Sequence, residues 1–455
     1  SCEFEVSSIN WVPPALTLQF IKMLKYIIIT ICVVGFVESF FWELWSNPII
    51  PVREFNGHKV YRVVPETLEQ LDVLKWLEAD NDLDFWTDAA IYQNVDIMIQ
   101  KDKVNEILNT FKEYEIQYQV MIEDVETLVA AERHAIENHK PSRRFDEIDW
   151  YSYYSYDEII AWADSLDCGE NVDISSQVYG SSSEGRDLKV YKFTNGSSDP
   201  NPRPSMWVDG TFHAREWISP ATVTYFMNDL CRNPSNTFLN DVDIYVVPIV
   251  NPDYEFSTNF LVTWTECGEK QERITIHPLD ASVLVYPNRN FEFKFGGNGT
   301  SNDKCSNNYR GPNAWSEPEV RSLAEYLIST TNSADWRAYI TVHSYGQYIL
   351  IPYSFDNETF PADFPEMENL ATDMESAMKA IHGTPFTVGH SGSILGPTSG
   401  CADDWAYEVA NITYSYTYEL RDTGRFGFLL PAQYIIPTAE ETLEGLKYAA
   451  RFITL

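Results

Sequence analysis

The sequence predicts an α/β protein: a mixed, largely parallel sheet covered by helices on both faces, preceded by a small α+β open sandwich. Three observations carry this. From about residue 145, strand-like and helix-like stretches alternate down the chain, as they do where parallel strands are joined by helices. The strands there, such as "PSMWVDG", "VDIYVVPIVNP" and "AYITVHS", are nearly continuous apolar runs, which suits strands buried on both faces. Ahead of them, residues 57–137 carry their own strand and helix patterns and end in a polar stretch.

Taken in order, the chain begins with Ser1, and Met23-Leu24-Lys25 precedes the 12 uncharged residues "YIIITICVVGFV". A short basic start and an apolar core too short for a membrane span fit a secretory signal over 23–39. A signal anchor is the alternative. Residues 1–22 then read as upstream sequence of doubtful origin. In 57–137, "KVYRVVP", "AIYQNVDIMIQ" and "EIQYQVMIED" read as strands. "ETLEQLDVLKWLEAD" and "KVNEILNTFKEY" have helical spacing, so two helices on a small sheet are expected. The stretch "HKPSRRFDEIDW" follows, with Lys140, Arg143 and Arg144 around a Pro. It reads as an exposed linker over 138–144 that a trypsin-like protease would cut. The main domain then runs over 145–455.

Composition narrows the function. A net charge of −35 with no basic patch to balance it argues against nucleic-acid binding. Sequons at Asn195, Asn298, Asn357 and Asn411 agree with secretion. Cys168, Cys231, Cys267, Cys305 and Cys401 follow the leader. Five is odd, so at least one is free or pairs between chains.

The stretch "VDGTFHAREWISPATV" sets His213, Arg215 and Glu216 on one turn. His and Glu three apart share a face and could hold a divalent metal, zinc first. Spacing alone does not decide, since His134/Glu137 and His277/Asp280 repeat it. Two further features do more. "AYITVHS" places His343 at the end of a buried strand, where ligand sites of α/β sheets lie. "ITYSYTYELRDTGRFGFLLP" places Glu419 near the end of another. A catalytic zinc needs about three protein ligands and an open position. His213, Glu216 and His343 supply them, and Glu419 is a spare carboxylate for proton transfer.

"HAREW", "PNRNF", "HSYGQ" and "YELRDTGRFGFLLP", in that order, resemble the zinc metallocarboxypeptidases of the pancreatic A/B type across nearly the whole chain. The resemblance implies that 57–137 is a folded activation segment, and that 145–455 is the catalytic domain of a secreted zymogen. It implies Zn²⁺, one per chain, on His213, Glu216 and His343, with Glu419 as general base. Asn288 and Arg289 match the residues that hold a substrate's terminal carboxylate, for which a guanidinium fork is suited. Arg215 matches the site mouth, and Tyr345 and Phe428 match subsite walls. In "TSGCADDWAY", Asp403 falls where B-type enzymes place an acid at the base of the specificity pocket, and Ser354 in "IPYSF" also matches the B type. The expected reaction is removal of C-terminal Lys or Arg from peptides or proteins by a monomer with no membrane span in its mature form.

Departures from the family pattern concentrate between Asp253 and Tyr286. The expected oxyanion Arg is absent there, and Arg273 is the only Arg, in unmatched surroundings. Tyr286 stands where the family has an Asp that orients the first zinc His. Gly396 stands where the family has a mobile Tyr. Cys305 fits half of a family disulfide, with Ser282 near its missing partner. A gene-model or splicing error over 254–286 would explain the cluster, and a transcript reading through it unchanged would refute that. If the segment is genuine, the second reading is a secreted, zinc-binding, catalytically weak relative that binds peptide C-termini. A zinc deacylase of the same fold is disfavoured by the activation segment and by "NRNF".

Overall fold

The computed structural model describes residues 55–79, 83–139, 144, 146–170, 172–195, 201–253, 285–304, 306 and 308–454. These fall in one compact unit, 54–455. The expectations on the upstream sequence, the leader, most of the linker and the segment around Arg273 lie outside the described residues.

The N-terminal unit holds β1 (Lys59–Val63), α1 (Leu68–Ala79), β2 (Asp84–Phe85), β3 (Val95–Ile99), α2 (Val104–Glu113) and β4 (Tyr118–Ile122). Its strands pair antiparallel in the order β2-β3-β1-β4. Side chains alternate across a strand, and β3 shows the consequence. Val95, Ile97 and Ile99 join Leu74, Leu77, Ile107 and Phe111 in the unit's own core beneath α1 and α2. Met98 instead joins the core of the larger domain, and Asp96 reaches a tyrosine there. So the sheet carries two helices on one face, as expected, and turns its other face to the main domain. The sequence reading missed a third helix, α3 (Val125–His139). Its Val125 and Val129 pack with Tyr153 and Trp217 of the main domain. It ends at His139, inside the 138–144 stretch expected to be linker, so the helix takes up the start of that stretch; of the rest, Arg144 is exposed and pairs with Asp146.

The main domain begins with α4 (Tyr156–Asp164), whose Ser155 and Glu158 form a reciprocal cap. It continues with β5 (Asp173–Ser181), β6 (Asp187–Thr194), β7 (Arg203–Gly210), α5 (Ile218–Arg232) and β8 (Asp243–Val247). Then come α6 (Pro318–Ser329), β9 (Ala334–Ser344), β10 (Tyr348–Ile351), α7 (Phe364–His382), β11 (Thr387–His390) and the short α8 (Ser391–Leu395). The chain ends with α9 (Ala402–Glu408), β12 (Tyr414–Leu420) and α10 (Ile435–Phe452). The sheet order is β11-β10-β12-β9-β7-β8-β6-β5. The pairs β12/β9, β9/β7, β7/β8 and β10/β11 are parallel, and β10/β12, β6/β8 and β5/β6 antiparallel.

Helices cover both faces, and strand alternation says why. Met206, Val208, Ile340 and Val342 point to the side of Phe226 on α5, Met374 on α7 and Leu446 on α10. Trp207 and Tyr339 point the other way, to Leu323 on α6 and Trp405 on α9. A disulfide joins Cys168, beyond α4, to Cys231 near the end of α5. Cys401 is a buried free thiol. The register sets Glu419 of β12 beside His343 of β9, and Gly210 of β7 beside Val342. The C-terminal ends of β7, β9 and β12 therefore meet at one place. Among the described residues, no helix is long and apolar enough to cross a membrane.

Candidate metal centre and its cleft

The turn after β7 is fixed by its surroundings. Ser219 Oγ donates to the Val342 carbonyl at 2.6 Å and accepts from the Thr211 amide at 3.0 Å. A Cβ on Gly210 would meet that same Oγ at 2.6 Å, so only glycine lets β7 and α5 approach this closely. The turn delivers His213 and Glu216 toward the end of β9. His213 Nδ1 lies 2.7 Å from Glu216 Oε1. His343 Nδ1 lies 3.1 Å from Glu216 Oε2 and 3.2 Å from His213 Nδ1. From behind, Thr341 Oγ1 is 3.1 Å from His343 Nε2.

Electrostatics follow from burial and mutual contact. Burial lowers His213 to about 4, against the pull of Glu216. Burial also opposes charge on His343, but the Glu216 carboxylate overrides it and raises His343 to about 9. Glu216 is pushed up by burial and brought down to about 2 by the two imidazoles. Burial, with Glu216 nearby, lifts Glu419 to about 8 although His343 opposes it. Three basic atoms thus face one point, and a single proton serves only one pair of them. A divalent cation would serve all three, and the donor set of two imidazole nitrogens and a carboxylate oxygen suits zinc. Their ligand atoms lie within 4.8 Å of one another. The residues fit the metal.

The cluster opens into a cavity of about 330 Å³, which Glu419, Asn288, Arg289, Ser354 and Asp403 also line. Tyr345 and Phe428 line it too, so all the site residues read from the sequence border this cavity except Arg215. Asn288 Oδ1 accepts from the Ala402 amide at 2.8 Å. The two acids of "CADDW" divide. Asp404 accepts from the Ser354 and Phe355 amides, at 2.7 and 3.0 Å, and holds their loop. Asp403 faces the cavity and accepts from Ser354 Oγ at 3.2 Å. Burial raises its carboxyl above the ordinary value.

Arg215, Arg289 and Tyr345 are engaged by the N-terminal unit, in which the sequence shows no catalytic-looking pair. Arg215 donates to Asp84 at 3.0 Å and lies over the Phe428 ring at 4.2 Å. Arg289 donates to Asp88 at 3.1 Å. Tyr345 donates to Asp96 at 2.7 Å, and Asp96 also accepts a fork from Arg62 at 2.6 and 2.7 Å. Trp86 packs on Phe428 and Tyr345. Ala90 sits where a side chain on Gly396 would be, 3.0 Å from its Cβ position. The available signals were the acid-and-aromatic run "DFWTD" and the charge inside the apolar strand "VDIMI". The Tyr286 ring packs against His213 at a tilt of 32°, with centroids 4.2 Å apart. Arg273 and Cys305 lie outside the described residues.

Comparison with known proteins agrees with this geometry. The zinc carboxypeptidase family model matches residues 159–445, and the carboxypeptidase activation peptide model matches 61–132. Carboxypeptidase A2 of Mus musculus is 36% identical over 403 residues, covering 86% of this chain and 93% of its own. Carboxypeptidase B of Astacus astacus is 39% identical over 315 residues, covering 67% of this chain and 98% of its own. The crystal structure of thrombin activatable fibrinolysis inhibitor superposes with a TM-score of 0.75 at 28% identity, covering 88% of this chain and 99% of that one. A-type and B-type relatives match at similar identity. The buried His-Glu-His cluster, its flanking carboxylate and the capped cleft are thus set in a chain that belongs to the zinc carboxypeptidase family, as a zymogen carrying the family's activation peptide.

Proposed function

We propose that the activated chain removes C-terminal Lys or Arg from peptides. The observation that carries the preference is Asp403, a buried acid facing the cavity beside Ser354 while its neighbour Asp404 is spent on loop amides. An acid there attracts a cationic side chain and excludes an acidic one. In this reading His213 Nδ1, His343 Nδ1 and the Glu216 carboxylate hold Zn²⁺. When bound, the zinc supplies Lewis acidity that polarises a carbonyl and makes water acidic near neutral pH. Glu419 takes a proton from the attacking water and returns it to the leaving amine. Arg289 pairs with the substrate's terminal carboxylate, Asn288 adds a neutral donor, and Tyr345 and Phe428 wall the approach. Arg215 lines the mouth. The chain is exported through the segment 23–39 and works as a monomer. A trypsin-like protease cutting near Arg143 and Arg144 frees the cleft.

The test is limited trypsin treatment, then timed release of the last residue from matched peptides ending in Arg, Phe and Glu, with and without a chelator. Chelator-sensitive release of Arg well above Phe is expected. Release of Phe first overturns the role of Asp403 alone. Silence toward all three with zinc bound favours the second reading, a weak enzyme that binds C-termini. That reading rests on the sequence between Asp253 and Tyr286, where Arg273 stands alone.

A further inference from the structure

The first metal-ligating histidine has an unusual neighbourhood. His213 Nε2 is buried and has no hydrogen-bond partner. A ligating imidazole is ordinarily oriented by a partner on that second nitrogen. What His213 has instead is an aromatic face: the Tyr286 ring lies 4.2 Å away at an interplanar angle of 32°. The same ring carries the Arg289 guanidinium, 5.0 Å from its centroid, within range of a cation–π contact. Tyr286 is itself fixed at its backbone, donating its amide to the Tyr309 carbonyl at 2.7 Å and accepting from the Arg289 amide at 3.0 Å. Its neighbours Pro287, Asn288 and Arg289 form a tight turn and are buried.

We propose that Tyr286 is a positioning residue that orients His213 by packing its tilted ring against the imidazole, in place of a hydrogen bond, and couples the metal centre to the carboxylate-binding Arg289. The inference rests on the zinc site and on the role given to Arg289 above. One flat ring touches both groups, so any shift of Arg289 on meeting a carboxylate is felt at the imidazole. The ring, not the hydroxyl, does the positioning, and this separates the two obvious substitutions.

The experiment uses the full zymogen for metal binding and the trypsin-treated chain for kinetics. Zinc affinity is measured by competition with a chromophoric chelator for wild type, Tyr286→Phe and Tyr286→Leu. Phe keeps the ring, so zinc affinity and KM stay within about twofold of wild type. Leu removes it, and zinc affinity falls about 10–100-fold, the usual effect of losing an orienting partner. KM for an Arg-ended peptide rises about two- to fivefold as the cation–π contact is lost. Tyr286→Met replaces the Leu variant if the latter does not fold. Aliphatic variants that bind zinc as wild type does overturn the inference and leave the proposed function standing. So does a Phe variant as weak as Leu, since the hydroxyl would then be the active part. Wild-type zymogen that takes up no zinc overturns both.

Discussion

At the scale of single residues, the site is built from polar groups placed where apolar ones would be cheaper. Glu419 sits in a buried strand beside His343, and burial raises its carboxyl to about 8. A cation at the cluster favours its ionised form, the form that accepts a proton. Glu419→Gln keeps the shape and removes the base. It is expected to lower kcat by about 10²–10⁴ while zinc binding stays intact. An active Gln variant would assign proton transfer to another group. Asp403→Leu tests the pocket. Activity toward Arg-ended peptides should fall about 10²-fold or more, while Phe-ended peptides gain. Equal losses on both substrates would mean that Asp403 only supports the loop.

At the scale of elements, one short strand explains much of the closure. Along β3 the apolar residues at alternate positions build the sandwich, while Asp96 between them crosses to Arg62 and Tyr345. Its side chain is 0% exposed. Removing one partner of a buried pair costs about 3–5 kcal/mol, so Asp96→Ala should loosen the sandwich from the cleft. The readout is hydrolysis of a small substrate by the uncut chain. A variant as silent as wild type would confine Asp96 to the sandwich's own stability. The same elements show what sequence could carry. His343 and Glu419 were legible because each interrupts an apolar strand near its end, and strand ends are where sites lie. Asp84, Asp88 and Asp96 were not, because their partners Arg215, Arg289 and Tyr345 are more than a hundred residues away. No local period encodes such a pairing. α3 was missed because its apolar face, Val125 and Val129, is completed by the other domain.

At the scale of the whole molecule, the two units are joined through groups that titrate. Half-buried Glu78 lies in α1 beside Asp88, near Lys75 and Arg289, and burial followed by Asp88 raises it to about 8. Buried Glu132 in α3 faces Tyr153, and burial raises it to about 8 too. A carboxyl raised from about 4.5 stays protonated longer in the docked form than in the free one. Docking is then strongest below about pH 4.5, weakens as pH rises toward 8, and is flat beyond. The zymogen's thermal midpoint should fall over that window, and Glu78→Gln with Glu132→Gln should flatten the fall. An unchanged slope would locate the pH dependence elsewhere. The Asp88–Arg289 contact carries a further consequence. The sandwich presents a carboxylate to the very guanidinium assigned to a substrate's end, so it is in effect a competitive ligand on a leash. Cutting the leash leaves the Asp88–Arg289 contact itself in place; it removes the effective concentration, which for a short tether is on the order of millimolar. On that account the cut starts activation, and departure of the sandwich, which dilution favours, is expected to complete it. Specific activity of the freshly nicked protein should then rise on dilution, and activity independent of concentration would mean that the cut alone opens the cleft.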